Sequence, residues 1–203
     1  MNEKRTSMIA VCLAAVLALA PAVSFAQSAT TFSGEAVALK ANALGVSVAL
    51  ADTGALPSSG GNLSTSLAST NIAGIAAADA LSSSTSGSGS SSQSQSSLAD
   101  VNLLSGLVAA TVVKSNSSAT CSGGTASVSG NAQLVGLTVA GQSILVSNPN
   151  LSISLPGGIS VIINQQTSSS GGNAGSITVN ALHVTGPSID IVVASSQSDI
   201  TCS

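Results

Sequence analysis

One segment of this chain is written twice. Thr111–Cys121 reads Thr-Val-Val-Lys-Ser-Asn-Ser-Ser-Ala-Thr-Cys, and Ile191–Cys202 closes the chain with Ile-Val-Val-Ala-Ser-Ser-Gln-Ser-Asp-Ile-Thr-Cys. Both copies set paired valines before a serine-rich run, end on Thr-Cys and follow a glycine turn, at Gly106 and Gly186. The repeat predicts two equivalent strands. Cys121 and Cys202 are the only cysteines beyond the N-terminal leader, so these strands are expected to be joined by one disulfide.

The leader supplies the compartment. Residues 1–26 have the physical form of a signal peptide. Lys4 and Arg5 precede the apolar run Met8–Ala20, and Ser24-Phe25-Ala26 places small residues at the cleavage positions. Met8–Ala20 is too short to cross a bilayer as a helix, which takes about 20 residues. Cys12 lies in mid-run and reads as apolar filler. The mature chain is expected to begin near Gln27, to form one domain over residues 27–203, and to be secreted, with the periplasm or cell surface as possible destinations. In an oxidising space two cysteines default to a disulfide. Closing this loop contributes about 4.5 kcal/mol in the chain-entropy model. Zinc is the weaker reading of the pair, since there is no CxxC and His183 is the only histidine.

Hydropathy alternates with period two rather than 3.6, which predicts an all-β fold. Leu44, Val46, Val48 and Leu50 alternate with small residues before Asp52-Thr53-Gly54 turns the chain. Leu63, Thr65 and Leu67 share a face after the loop Ser58-Ser59-Gly60-Gly61-Asn62, a pentad repeated at Ser169–Asn173 before a strand over Ile177–Val184. Leu151, Ile153 and Leu155 form a further strand, turned by Pro156-Gly157-Gly158 into Ile159–Asn164. Ile72–Leu81 reads as strand in spite of its alanines.

Ser82–Ser97 has the composition of a flexible linker. The repeat argues for strand instead. Leu98–Leu104 aligns with Leu134–Ala140, and both blocks show the same one-residue slip in alternation, the mark of a β-bulge, with Asp100 matching Gly136. Two long hairpins are therefore expected, turning near Gly87–Gly89 and near Ser122–Gly124. In all, about ten to twelve strands in antiparallel hairpins are predicted, forming a sandwich or a barrel-like layer.

The order of these blocks resembles the choice-of-anchor P family of bacterial secreted proteins. The resemblance is carried by Phe32-Ser33-Gly34-Glu35-Ala36, Ala51–Gly61, Thr120-Cys121, Ser170–Asn173 and Ile177–Val184, and it extends over nearly all of the chain beyond the leader. It implies an exported body that carries different surface-sorting signals in different members, with no catalytic residues to transfer. No such signal is read after Cys202, so release or non-covalent retention is expected.

Charge and composition exclude several functions. Beyond the leader there are six acids (Glu35, Asp52, Asp79, Asp100, Asp190, Asp199) against Lys40 and Lys114, which gives no surface for nucleic acid. Phe32 is the sole aromatic there, so stacking on sugars or bases has nothing to use. Catalysis would have to pass through His183, with Asp190 or Asp199 nearby, yet no Gly-x-Ser-x-Gly elbow frames a nucleophile. Asp52-Thr53-Gly54 and Asp100-Val101-Asn102 space oxygen ligands closely without matching a calcium loop. Asp52 reads instead as a turn nucleator and Asp100 as a bulge residue. Lys40 and Lys114 read as edge protection. No catalytic residue, cofactor or metal site is assigned; Cys121 and Cys202 are the only site residues.

The expected function is a non-catalytic exported structural, surface or matrix protein that associates with itself through strand edges. The alternatives are a module that binds a repetitive surface such as ice, glycan or polymer, and a hydrolase using His183. The partner is open between the protein itself and another extracellular component.

Overall fold

A computed structural model describes residues 29–203, Leu44 and Ser147 excepted, and the leader read over residues 1–26 lies outside them. Among the described residues are thirteen strands: β1 (Thr31–Ala43), β2 (Val46–Asp52), β3 (Gly61–Ile72), β4 (Ala76–Ser88), β5 (Ser91–Leu103), β6 (Val108–Ser122), β7 (Thr125–Val135), β8 (Thr138–Val139), β9 (Gln142–Ser143), β10 (Leu151–Leu155), β11 (Ile159–Gly171), β12 (Ala174–Gly186) and β13 (Ile189–Thr201). The only helical element among the described residues is a 3-10 turn at Leu104–Gly106. The count exceeds the expected range by one, because β8 and β9 are two-residue pairings that no periodicity reveals.

The strands form two antiparallel sheets, so the architecture is a sandwich. Sheet A runs in the order β10-β11-β12-β13-β1-β2; sheet B runs β3-β4-β5-β6, with β7 and β8-β9 both paired to β6. The chain lays down two strands of sheet A, builds sheet B as a meander, then returns to sheet A. β13 closes against β1 from Thr31↔Thr201 to Ala43↔Ile189. At about 3.4 Å per residue, the thirteen-residue strands are over 40 Å long.

The repeated segment occupies the middle of both sheets. β6 and β13 face each other, and Cys121 and Cys202 form a disulfide that ties sheet to sheet at one end. The Ser82–Ser97 segment is strand, as the repeat predicted. Its hairpin turns at Gly89-Ser90, and the next turns at Gly123-Gly124. Both latter glycines have positive φ (56° and 75°), the geometry a two-residue hairpin turn demands. Gly87 belongs to β4 rather than to the turn. A Cβ there would lie 2.8 Å from the Phe32 ring.

Three expectations are corrected. Ile72–Leu81 is not one strand: β3 ends at Ile72 and a turn through Gly74 (φ 73°) separates it from β4. Ser169–Gly171 are the last residues of β11, not a loop, because Ser169 and Ser170 find partners in Ser176 and Gly175. Lys40 and Lys114 protect no edge, since β1 and β6 are interior strands.

The slip seen in the sequence extends across the whole molecule. In β5 the buried positions run Ser92, Ser94, Ser96, Leu98 and then Val101, Leu103; in β6 they run Val108, Ala110 and then Val113, Ser115, Ser117. β13 changes phase between Val193 and Ala194, both buried. The row of sheet A at this height is Ala51, Ala38, Ala194, Ala181 and Asn164, with left-handed backbone on alternate strands (φ 47°, 52° and 51° at Ala51, Ala194 and Asn164). Ala80, Asp100 and Gly136 (φ 49°, 47° and 64°) are the counterparts in sheet B. Small or Asx residues stand here because bulky ones resist positive φ.

Two outcomes follow. Replacing both Cys121 and Cys202 by serine should lower the unfolding free energy by about 2–5 kcal/mol in denaturant titration while far-UV circular dichroism stays that of strand. Ala194→Gly should raise stability by up to about 1 kcal/mol, through relief of left-handed strain, whereas Ala41→Gly in the same sheet should lower it by about 0.5–1 kcal/mol.

Candidate functional site: a polar trough on the larger sheet

The slip divides the interior into two halves. On one side lies a core of Leu39, Leu103, Val108, Ile163, Leu182, Val184 and Ile191, all essentially inaccessible. On the side nearer the disulfide, Ser83, Thr85, Ser92, Ser94, Ser96, Ser115, Ser117, Ser196 and Ser198 are buried alongside Leu81, Leu98, Val113, Ile177 and Val179. A second small apolar cluster, Phe32, Leu56, Ala119, Ala126 and Ile200, closes that end around Cys202.

Serine in the interior draws the sheets together. The Ser92 hydroxyl donates to the Ser33 carbonyl at 3.0 Å, and the Ser198 hydroxyl to the Ser117 carbonyl at 3.2 Å, each reaching the backbone of the opposite sheet. Ser94 reaches the Gln197 carbonyl in the same way. Packed sheets ordinarily stand about 10 Å apart, so a gap that one serine side chain crosses is a waist. Glycines confirm the close approach: a Cβ on Gly130 would meet Val179 at 2.4 Å and one on Gly34 would meet Thr85 at 2.6 Å. Ser83–Ser96 (3.0 Å), Thr85–Ser94 (2.7 Å) and Ser117–Ser198 (2.8 Å) pair hydroxyl with hydroxyl, which offsets the cost of burying them. Ser115 and Ser196 are the exceptions, each buried without a partner.

On the outside of sheet B, over this waist, the surface is hollowed. Two adjoining depressions of about 380 Å³ and 560 Å³ share Ser84, Gln95 and Asn116 and together run from β3 to β7. Strand pairing aligns the walls into rows. Ser64, Ser84, Gln95, Asn116 and Asn131 form one; Ser66, Ser82, Ser97, Lys114 and Gln133 form the next. Lys114 is the only charged residue in the lining. Of the outward-facing lining side chains, Gln93 alone is hydrogen-bonded within the described protein, to Ser91. Gln95 and Asn131 are exposed and Asn116 is half-buried, and none of their amides has a hydrogen-bond partner among the described residues.

Sheet A presents polar residues too, but they satisfy one another. His183 Nδ1 lies 2.9 Å from Gln165 Oε1 and its Nε2 2.9 Å from Asp190 Oδ1. Asn180 also donates to Gln165 Oε1, at 2.9 Å. Ser176 and Gln197 both donate to Asp199, at 2.6 Å and 2.8 Å. The structure thus brings His183 and Asp190 together and keeps Asp199 apart. Both ring nitrogens are engaged, neither by a serine hydroxyl.

The remaining candidates are structural. The Asp52 carboxylate accepts from the Gly54 N–H at 2.8 Å, which closes the turn, and Thr53 Oγ1 accepts from the Ala36 N–H at 3.0 Å. Asp100 holds the left-handed position of β5. Among the described residues no three His, Cys, Asp or Glu side chains cluster as a metal site would require. No helix there is long and apolar enough to cross a membrane. No family model, curated protein or solved structure matches the chain.

The trough was not anticipated from the sequence as a site. Its signal was present in the alternation of Ser84, Ser86, Gln93, Gln95, Asn116 and Asn131 with buried serines, but a polar-on-both-faces strand gives no indication of which serines point inward. Ser198→Leu tests the waist. It should destabilise the protein by about 1–3 kcal/mol through overpacking, against about 1 kcal/mol for Ser198→Ala, in parallel denaturant titrations.

Proposed function

We propose that this chain is a non-catalytic exported structural protein of a bacterial surface or matrix, and that it associates with further copies of itself through the free edges of sheet B. The observation that carries this reading is the character of those edges. β3 and β7 are 12 and 11 residues long and contain neither a charge nor a proline. Natural sheets usually blunt such edges with charge, proline or brevity, since a free row of N–H and C=O groups templates another strand. The edges of sheet A are shorter: β10 has five residues before Pro156, and β2 has seven and ends at Asp52, although β11 continues beyond β10 through an uncharged Gln165–Gly171. The charges that could protect sheet B are elsewhere, Lys114 being on interior β6. Leu67 on β3 and Val135 on β7 are exposed at 38% and 45%, adding apolar contact area at both edges.

Export is supported by the leader over residues 1–26 and by the Cys121–Cys202 disulfide, which suits an oxidising compartment. Membership of the choice-of-anchor P family is part of the same proposal, resting on the motif order described above. Electron microscopy and sedimentation of the oxidised secreted protein test the edge reading. Filaments or large ordered assemblies are expected. Leu67→Lys with Val135→Lys should return the protein to a monomer with an unchanged circular dichroism spectrum. A wild type that stays monomeric at every concentration tested would overturn it.

A further inference from the structure

The two outer faces of the sandwich carry similar residues in different states. On sheet A, glutamine, asparagine, histidine and aspartate are spent on one another. On sheet B, Gln95, Asn116 and Asn131 stand in one row with their amides unpaired, and the surface there is concave. Unpaired amides in a hollow are hydrogen-bonding capacity aimed at something outside the protein.

We propose that the trough binds an extended, neutral, polyhydroxylated polymer, a polysaccharide strand laid across β3 to β7. Three features select this occupant. The lining offers donors and acceptors together, amide and hydroxyl, which is what vicinal sugar hydroxyls match. It holds no carboxylate and a single ammonium group, Lys114, so neither a polycation nor a polyanion finds charge complementarity. Its shape is a channel about 19 Å long, four strand spacings, which takes a chain lengthwise. An ice plane needs a flat lattice; this surface is hollowed by two adjoining depressions.

No aromatic ring lines the trough, so sugars are held by their hydroxyl rims rather than by stacking on their apolar faces. Each contact is then weak, and binding is the sum along the chain. The site recognises polymers and long oligomers, and single sugars compete poorly. The inference does not rest on edge association, because a monomer carries the whole trough.

Native electrophoresis of the full oxidised protein through gels containing dextran, galactomannan or mixed-linkage β-glucan tests it, with alginate as the anionic comparison. At least one neutral polymer should retard the protein, and alginate should not. Gln95→Ala with Asn116→Ala should weaken that retardation roughly tenfold in apparent Kd, the loss of two net hydrogen-bonding amides. Ser84→Arg, which blocks the channel from a solvent-facing position, should do the same. Circular dichroism and an intact disulfide establish that the variants fold. The proposal falls if no neutral polymer retards the protein, if alginate alone does, or if both variants bind as the wild type does. It also falls if the double variant changes the sedimentation of the protein alone, for the trough would then be an interface between copies.

Discussion

Each long strand here must reverse which of its residues face inward, and all must do so at the same height. A slip in one strand alone would send that strand's apolar residues outward and break its register with both neighbours. The row Ala51, Ala38, Ala194, Ala181 and Asn164 meets this constraint in sheet A, and Ala80, Asp100 and Gly136 meet it in sheet B. Left-handed backbone at a non-glycine residue costs about 1–2 kcal/mol, so the five such strand positions are a considerable expense. Only a slip shared across a sheet leaves the pairing on both sides intact, as the twelve partners of β1 and β13 show.

That line also separates two ways of filling a sandwich. Leucine, isoleucine and valine fill one half by bulk, which sets the sheets apart and supplies the hydrophobic drive. In the other half serines stand among fewer apolar residues, and their hydroxyls reach carbonyls of the opposite sheet across the gap. Such an interior buries little apolar area. The disulfide and the Phe32–Ile200 cluster stand at the end where that deficit is greatest. The depressions on the outer face of sheet B lie directly over this half.

Much of the fold was legible because periodicity and repeats report on backbone pairing. The paired Val-Val…Thr-Cys segments gave two equivalent strands, and the matched slips at Asp100 and Gly136 gave the height of the phase change, although the register across Gly136 is kept rather than shifted by a bulge. The sheet order was not legible. Lys40 and Lys114 were taken for edge residues because a lone charge on a neutral strand usually is one, and only the pairing of β1 with β13 and of β6 with β5 and β7 shows otherwise. The trough was hidden for a related reason. In β5 the sequence Ser-Ser-Gln-Ser-Gln-Ser-Ser is polar on both faces, so alternation separates serine from glutamine without saying that the serines are the core. An interior of serine inverts the rule by which cores are found.

The two features of sheet B are linked by geometry. The trough is lined by every strand from β3 to β7 and so reaches both of the uncharged edges. Sheet augmentation at either edge would therefore lengthen the channel rather than cover it, because added strands continue the same outer face. The two edges are not equal. The first turn of β7 is already tied to the opposite sheet, where the Ala126 N–H donates to the Gly172 carbonyl at 3.0 Å. β3 overhangs the short β2, and its inward residues Leu63, Thr65 and Leu67 are only partly covered. β3 is thus the freer template, and an incoming strand there would gain backbone hydrogen bonds and cover Leu67 together. Under the two proposals together, each copy added at β3 would lengthen the trough.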